Sequence, residues 1–381
     1  MLGIIGGKYA QTKFLYANCP SKNEYNTLVL NFSGMAWLYL KQDFSHCKQI
    51  VFNDICPYTI NMLKAFSQPE KFLEVFEYYM SNKNELHINS NETLSSAKDR
   101  FSELYKIWNN ELFNKKININ QIDFDASVKY AFLRSHSFAG RHPQRSGCNF
   151  RGKTATNPNF IKVVNKLKRK ECKGLLQRVI YENMDFEDCF QKYDTPRTFF
   201  YVDPPYWQCE SDYNVDNDLF GVYGHIRLAD SIKKLEGKAM ISYYDFPYLE
   251  NLYPSNQFSK TKEGFHKPSG NFKNENKRSK EIIITNYSLS SIANFHTLYP
   301  IKKDIEECYL EIATKVCPKD KKRTKKSYTT DFKRVIVDLI NMGVKKADLM
   351  RQFGIGSYAT LKRWQKKYNV SESVDATKLA A

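Results

Sequence analysis

Asp203-Pro204-Pro205-Tyr206 is the stretch of this sequence best equipped for chemistry. It follows Thr198 to Val202 (TFFYV), a run of β-branched and aromatic residues that reads as a buried strand. Two consecutive prolines fix φ and carry no N–H, so the strand must stop there. What remains is a stiff corner bearing a carboxylate, a bare carbonyl oxygen and an aromatic ring. It lies at the C-terminal end of a strand, where open α/β sheets bind ligands.

Four further groups of residues are placed to work beside that corner. Gly7 and Lys8 close an N-terminal LGIIGGK. The GxxxxGK[ST] spacing of a phosphate loop is absent, so Lys8 reads as a cation able to reach a ligand carboxylate. Thr27–Leu30 is a short apolar strand, Phe32-Ser33-Gly34 a turn, and Met35–Lys41 the start of a helix. That is the first unit of a doubly wound fold, and the glycine lets backbone approach a ligand closely. Lys48–Phe52 is a second strand with Asn53-Asp54 at its tip. An acid about 20 residues past a glycine turn can take ribose hydroxyls, or it can cap the helix that follows. Gln177–Glu182 is a third strand, followed by Asp185-Phe186, which on its residues alone is a helix cap.

The tetrapeptide resembles the DPPY motif of amino-methyltransferases. Taken with the GGK, the glycine turn and the order of the motifs, residues 1–290 resemble the DNA adenine-N6 methyltransferase family. The resemblance implies S-adenosylmethionine as cofactor and no metal. Lys8, Gly7, Phe32, Gly34, Asp54, Asp185, Phe186 and Asp203 would line the cofactor. The family commonly has an aromatic residue where Ile4 stands, a second glycine at Ala36, and an acid and a proline at Leu30 and Asn31. Its chemistry accounts for the residue types at the corner. The N6 lone pair of adenine is delocalised into the ring and is a poor nucleophile. Asp203 and the Pro204 carbonyl, held rigid by Pro205, would accept its two N–H bonds and stabilise the charge that builds on nitrogen. Tyr206 would stack on a base taken out of the duplex. Cytosine N4, adenine in RNA, and a non-catalytic DNA-binding regulator with a degenerate fold stay open as alternatives.

The 381-residue chain carries a formal net charge of +17, which points to a polyanionic partner, nucleic acid before membrane. Nine scattered cysteines without a CxxC pair read as reduced residues of a cytoplasmic protein, and no run is long enough for a membrane span. Between residues 132 and 170 Arg, His, Asn, Gly and Pro dominate, a loop composition rich in donors for phosphates and base edges. In the family a target-recognition region lies here, with Arg141, Arg145, Arg151 and Lys153 as candidate DNA contacts. Residues 256–280 read as a basic loop and 281–287 as the closing strand.

The elements assemble into an expected α/β fold: a Rossmann-like methyltransferase sheet of seven strands with an inserted target-recognition region and a small all-α C-terminal helix-turn-helix. The catalytic domain would take residues 1–55 and 177–300, the insertion 56–176, a basic linker 301–328, and the helix-turn-helix 329–370. In that last unit Gly354-Ile355-Gly356 separates two helical patterns, similar to transposase-type modules. Lys362, Arg363 and Lys366 lie off its apolar face and are candidate phosphate contacts. Double-stranded DNA is the expected partner, with a cognate restriction endonuclease as a further one.

Overall fold

The computed structural model describes residues 7–81, 93–137, 142–145, 148, 165, 170–207, 209–210, 220–246, 248–265, 279–289, 310, 313–314, 328–341 and 344–368. Seven strands form one sheet: β1 (Thr27–Asn31), β2 (Gln49–Asn53), β3 (Val179–Glu182), β4 (Thr198–Val202), β5 (Lys238–Tyr243), β6 (Ser259–Phe265) and β7 (Ser279–Thr285). Their order is β3-β2-β1-β4-β5-β7-β6. The first five are parallel, β7 runs antiparallel to β5, and β6 antiparallel to β7. The helices are α1 (Thr12–Ala17), α2 (Trp37–Lys41), α3 (Pro57–Phe66), α4 (Pro69–Ser81), α5 (Leu94–Phe113), α6 (Phe124–His136), α7 (Lys170–Gln177), α8 (Phe186–Tyr193), α9 (Val222–Ile232), α10 (Leu249–Leu252), α11 (Thr330–Asn341), α12 (Lys346–Phe353) and α13 (Tyr358–Tyr368).

The chain divides into two compact units. The first comprises residues 1–215, 230–245 and 255–296, and holds the sheet. Its central strands are buried on both faces, which is why TFFYV and TLVL read as continuous apolar runs instead of alternating ones. Leu28, Ile50, Phe199 and Tyr201 point to one face and share a core with Met62 and Leu63 of α3, Phe72 of α4, Phe101 and Trp108 of α5 and Phe132 of α6. The helical part of residues 56–136 is therefore continuous with the core of the sheet.

Several elements depart from the sequence reading. The expected basic loop over 256–280 contains β6 and the first residues of β7. SKTKEGF has no apolar alternation to announce a strand. It forms because it pairs with the apolar β7 at the edge of the sheet, where charged residues are tolerated. β3 starts at Val179, and Gln177 belongs to α7. α6 is buried almost all round, which hides the helical period, although Asp123 caps it by accepting from the Ala126 N–H.

The second unit comprises residues 216–229, 246–254 and 297–381. In it α11, α12 and α13 pack around Phe332, Ile336, Leu349, Phe353, Leu361 and Trp364, all buried. Gly354 ends α12 with φ +63°, a left-handed conformation that favours glycine. No helix among the described residues is long and apolar enough to cross a membrane.

Candidate active site

β1 and β4 are neighbours, yet β2 and β3 continue the sheet on one side and β5 on the other. The carboxyl ends of β1 and β4 thus frame the topological switch point, where α/β sheets open a crevice. The Asp203 N–H donates to the Asn31 carbonyl at 3.3 Å, which carries the β1–β4 pairing one step beyond the strand. Two buried asparagines fix the ends of the neighbouring strands. Asn53 Nδ2 donates to Asn31 Oδ1 (2.9 Å) and to the Met184 carbonyl (3.1 Å), while Asn53 Oδ1 accepts from the Met184 N–H (3.1 Å). Asn31 Nδ2 donates to the Phe186 carbonyl at 3.1 Å. The turns after β1, β2 and β3 are so held as one rim.

On that rim five side chains meet. Lys8 Nζ lies 2.6 Å from Asp203 Oδ1 and 3.5 Å from Glu281 Oε1. The Tyr206 hydroxyl donates to Glu281 Oε1, and the Lys8 ammonium sits 4.6 Å from the centre of the Tyr206 ring. Gln11 Nε2 donates to Glu281 Oε2 at 3.3 Å. Lys8 and Glu281 are buried, at 4 % and 1 % side-chain exposure, whereas Asp203 keeps 20 %. Burial raises the proton affinity of the Asp203 carboxyl above the usual range, and the adjacent Lys8 opposes that rise. Burial and the nearby Asp203 charge push Glu281 the same way, with Lys8 and the Tyr206 hydrogen bond opposing. For Lys8, burial works against the charged form, but the two carboxylates outweigh it and hold the ammonium charged. Among the described residues nothing donates to Asp203 Oδ2 or to the Pro204 carbonyl. Two acceptors at a rigid corner are left open for an amino group.

The turn between β1 and α2 forms a second part of the site. Phe32, Gly34 and Ala36 all have positive φ, of 59°, 48° and 50°. Gly34 has open space where a Cβ would lie. Its N–H donates to Asp54 Oδ2 at 3.0 Å, and the Cys56 N–H donates to Asp54 Oδ1 at 2.9 Å. Burial raises the pKa of Asp54, and the two backbone donors counter it. Ser33 Oγ is buried and has no hydrogen-bond partner among the described residues. Phe32 and Phe186 lie with ring centres 5.5 Å apart, and Asp185 caps α8 by accepting from the Glu187 N–H.

The structure thus brings Lys8, Phe32, Gly34, Asp54, Asp185, Phe186 and the Asp203–Tyr206 corner to one edge of the sheet, with Gly7 adjoining Lys8 as the first described residue. The charge of Lys8 is engaged by Asp203 and Glu281. Tyr206 is buried, its ring packed at 4.4 Å edge-on to Tyr244, so its hydroxyl is an anchor for Glu281. Arg141, Arg151 and Lys153 lie outside the described residues. Arg145 closes a 3-10 turn with Pro143, and its side chain is not described. The sequence reading missed Glu281, Gln11, Asn31 and Asn53. For Glu281 the signal was an acid heading the apolar run EIIIT.

A family model described as D12 class N6 adenine-specific DNA methyltransferase matches residues 5–267, more than half of the chain. The chain is also similar to the Type II methyltransferase M.CviBI of Paramecium bursaria Chlorella virus NC1A, with 25% identity over 131 residues. That alignment takes in 34% of this chain and 48% of the viral protein, so the chain spans about half the length of this relative.

Proposed function

This chain belongs to the D12 class N6 adenine-specific DNA methyltransferases, and from that premise we propose that it methylates adenine N6 at a specific site in duplex DNA. The observation that carries the proposal is the open acceptor pair of Asp203 Oδ2 and the Pro204 carbonyl, fixed at the switch point by Lys8 and the β1 edge. Asp203 Oδ2 and the Pro204 carbonyl each accept one N–H of the target amino group, which returns the lone pair to nitrogen and stabilises its developing positive charge. The raised proton affinity of Asp203 suits it to hold the proton that the nitrogen then sheds. Lys8, held by Glu281, favours the ionised form of Asp203 beforehand.

Members of the family use S-adenosylmethionine, which when bound supplies an electrophilic methyl group. The turn after β1 fits such a cofactor. It offers an unpartnered buried hydroxyl at Ser33, open space beside Gly34, the Phe32 and Phe186 rings, and the acids Asp54 and Asp185. Asp54 would take the ribose hydroxyls and Asp185 the adenine amino group, with Phe186 packing beside it. Site choice falls to the segment holding Arg141, Arg145, Arg151 and Lys153. The Type II name of the viral relative supports a restriction endonuclease of the same site as a partner.

Methylation-aware sequencing of DNA from cells expressing the protein tests this directly, with Asp203→Ala as control. N6-methyladenine at one recurrent site, absent in the control, is the expected result. Methylation on cytosine, or none with the wild type, rejects the reading.

A further inference from the structure

We propose that α12 and α13 form a DNA-reading helix-turn-helix that gives the chain a second grip on duplex DNA, separate from the methyl-transfer site. The family match ends at residue 267, so these helices lie outside it. Between Tyr328 and Tyr368 nine Lys or Arg residues stand against three Asp. α13 itself carries Lys362, Arg363, Lys366 and Lys367 and no acid.

The packing decides which way these charges face. Leu361 and Trp364 are buried against α11 and α12 and fix the rotation of α13. The opposite side then presents two adjacent ridges at i, i+4, i+8 spacing. One is Tyr358, Lys362 and Lys366, and the other Ala359, Arg363 and Lys367, and all six are exposed. An 11-residue helix is about 16 Å long and fits the major groove end-on or along it.

The two ridges differ in chemistry. On the first, Tyr358 is 50% exposed, and Lys346 of α12 and Lys362 bring their ammonium groups within 5.1 and 5.6 Å of its ring centre. This tip combines donors with a flat apolar edge, the means by which base edges are read. The second ridge opens on a cleft of about 660 Å³, where Lys333 of α11 joins Arg363 and Lys367 beside Tyr328 and Trp364. Three cations around one cleft suit backbone phosphates, which position without specifying. Tyr358 is the sole exposed large apolar side chain among the described residues of 328–368. That composition disfavours a hydrophobic protein contact and matches a polyanion.

The test uses the full chain without cofactor and a fluorescent duplex, with binding measured across a salt series. Arg363→Ala/Lys367→Ala is expected to weaken binding to all duplexes alike and to flatten the log–log salt slope by about 2, near 0.9 per lost phosphate contact. Tyr358→Ala/Lys362→Ala is expected to narrow the preference for duplexes selected from a random pool over scrambled ones by about tenfold. All four side chains touch solvent, so melting temperature should hold. Wild-type slope and affinity in both double variants overturn the proposal, as does a loss confined to single-stranded RNA. If instead the wild type makes no N6-methyladenine but the variants shift duplex binding as stated, the methyl-transfer reading fails and this one stands.

Discussion

At the scale of single residues, the site is a buried ammonium between two carboxylates, and each contact has a measurable share. Glu281→Gln keeps the shape and one acceptor for Tyr206 but removes a charge from Lys8. Glu281→Ala leaves Lys8 with Asp203 alone and the Tyr206 hydroxyl and Gln11 without their acceptor, and should cost about 1–3 kcal/mol of stability. The Gln variant should stay folded and lose single-turnover rate with little change in DNA affinity. Tyr206→Phe separates two roles, because phenylalanine can stack on a base but cannot donate to Glu281. A slower single-turnover rate in Tyr206→Phe supports the anchor, and a wild-type rate assigns Tyr206 to stacking alone. On the proposed mechanism methyl transfer needs Asp203 ionised, so activity should fall as pH drops through its raised pKa. Lys8 opposes that rise, so Lys8→Met should move the acid limb of the single-turnover pH profile upward. An unmoved limb would show that Lys8 does not act on Asp203. Asp203, Pro204 and Tyr206 were legible because prolines after an apolar run admit few structures. Glu281 was not, because the side of the sheet on which a strand begins depends on its direction. β7 is antiparallel, with Ile282 opposite Tyr243 at the end of β5, so its first residues arrive where the parallel strands finish.

At the scale of elements, the turn after β1 carries three left-handed residues at alternate positions, Phe32, Gly34 and Ala36. Gly34→Ala would meet no atom, so its stability cost is left-handed strain of about 1–2 kcal/mol less about 0.5–1 kcal/mol of chain entropy. The added methyl fills space proposed for the cofactor, so S-adenosylmethionine affinity by calorimetry should fall more than stability does. Equal affinity would place the cofactor elsewhere. Ala36→Gly offers the contrast. Relief of a left-handed alanine, about 1–2 kcal/mol, is offset by about 0.8 kcal/mol for a buried methyl and about 0.5–1 kcal/mol of added chain entropy. Its denaturant midpoint should therefore barely move. Strands β1, β2, β4 and β5 could be read from apolar runs, since burial on both faces writes itself into composition. β6 could not, because SKTKEGF owes its conformation to its neighbour.

For the whole molecule, a net charge of +17 would make encounter with the proposed DNA substrate an electrostatic event. Raising salt from about 50 to 200 mM should depress kcat/KM for DNA steeply while leaving kcat at saturating DNA nearly constant. A parallel fall in kcat would mean that salt disturbs the site itself. The arrangement of Lys8 has a consequence of another kind, in the timing of synthesis. Its partners lie 195 and 273 positions further along the chain. At about 5–20 residues per second the ribosome delivers Glu281 tens of seconds after Lys8. Until then the lysine has no acid pair to enter the interior with, and it stays in water. A chain arrested before β7 therefore carries the Asp203–Tyr206 corner without Glu281, and on the proposed mechanism it gains methyl-transfer competence only once β7 has been made.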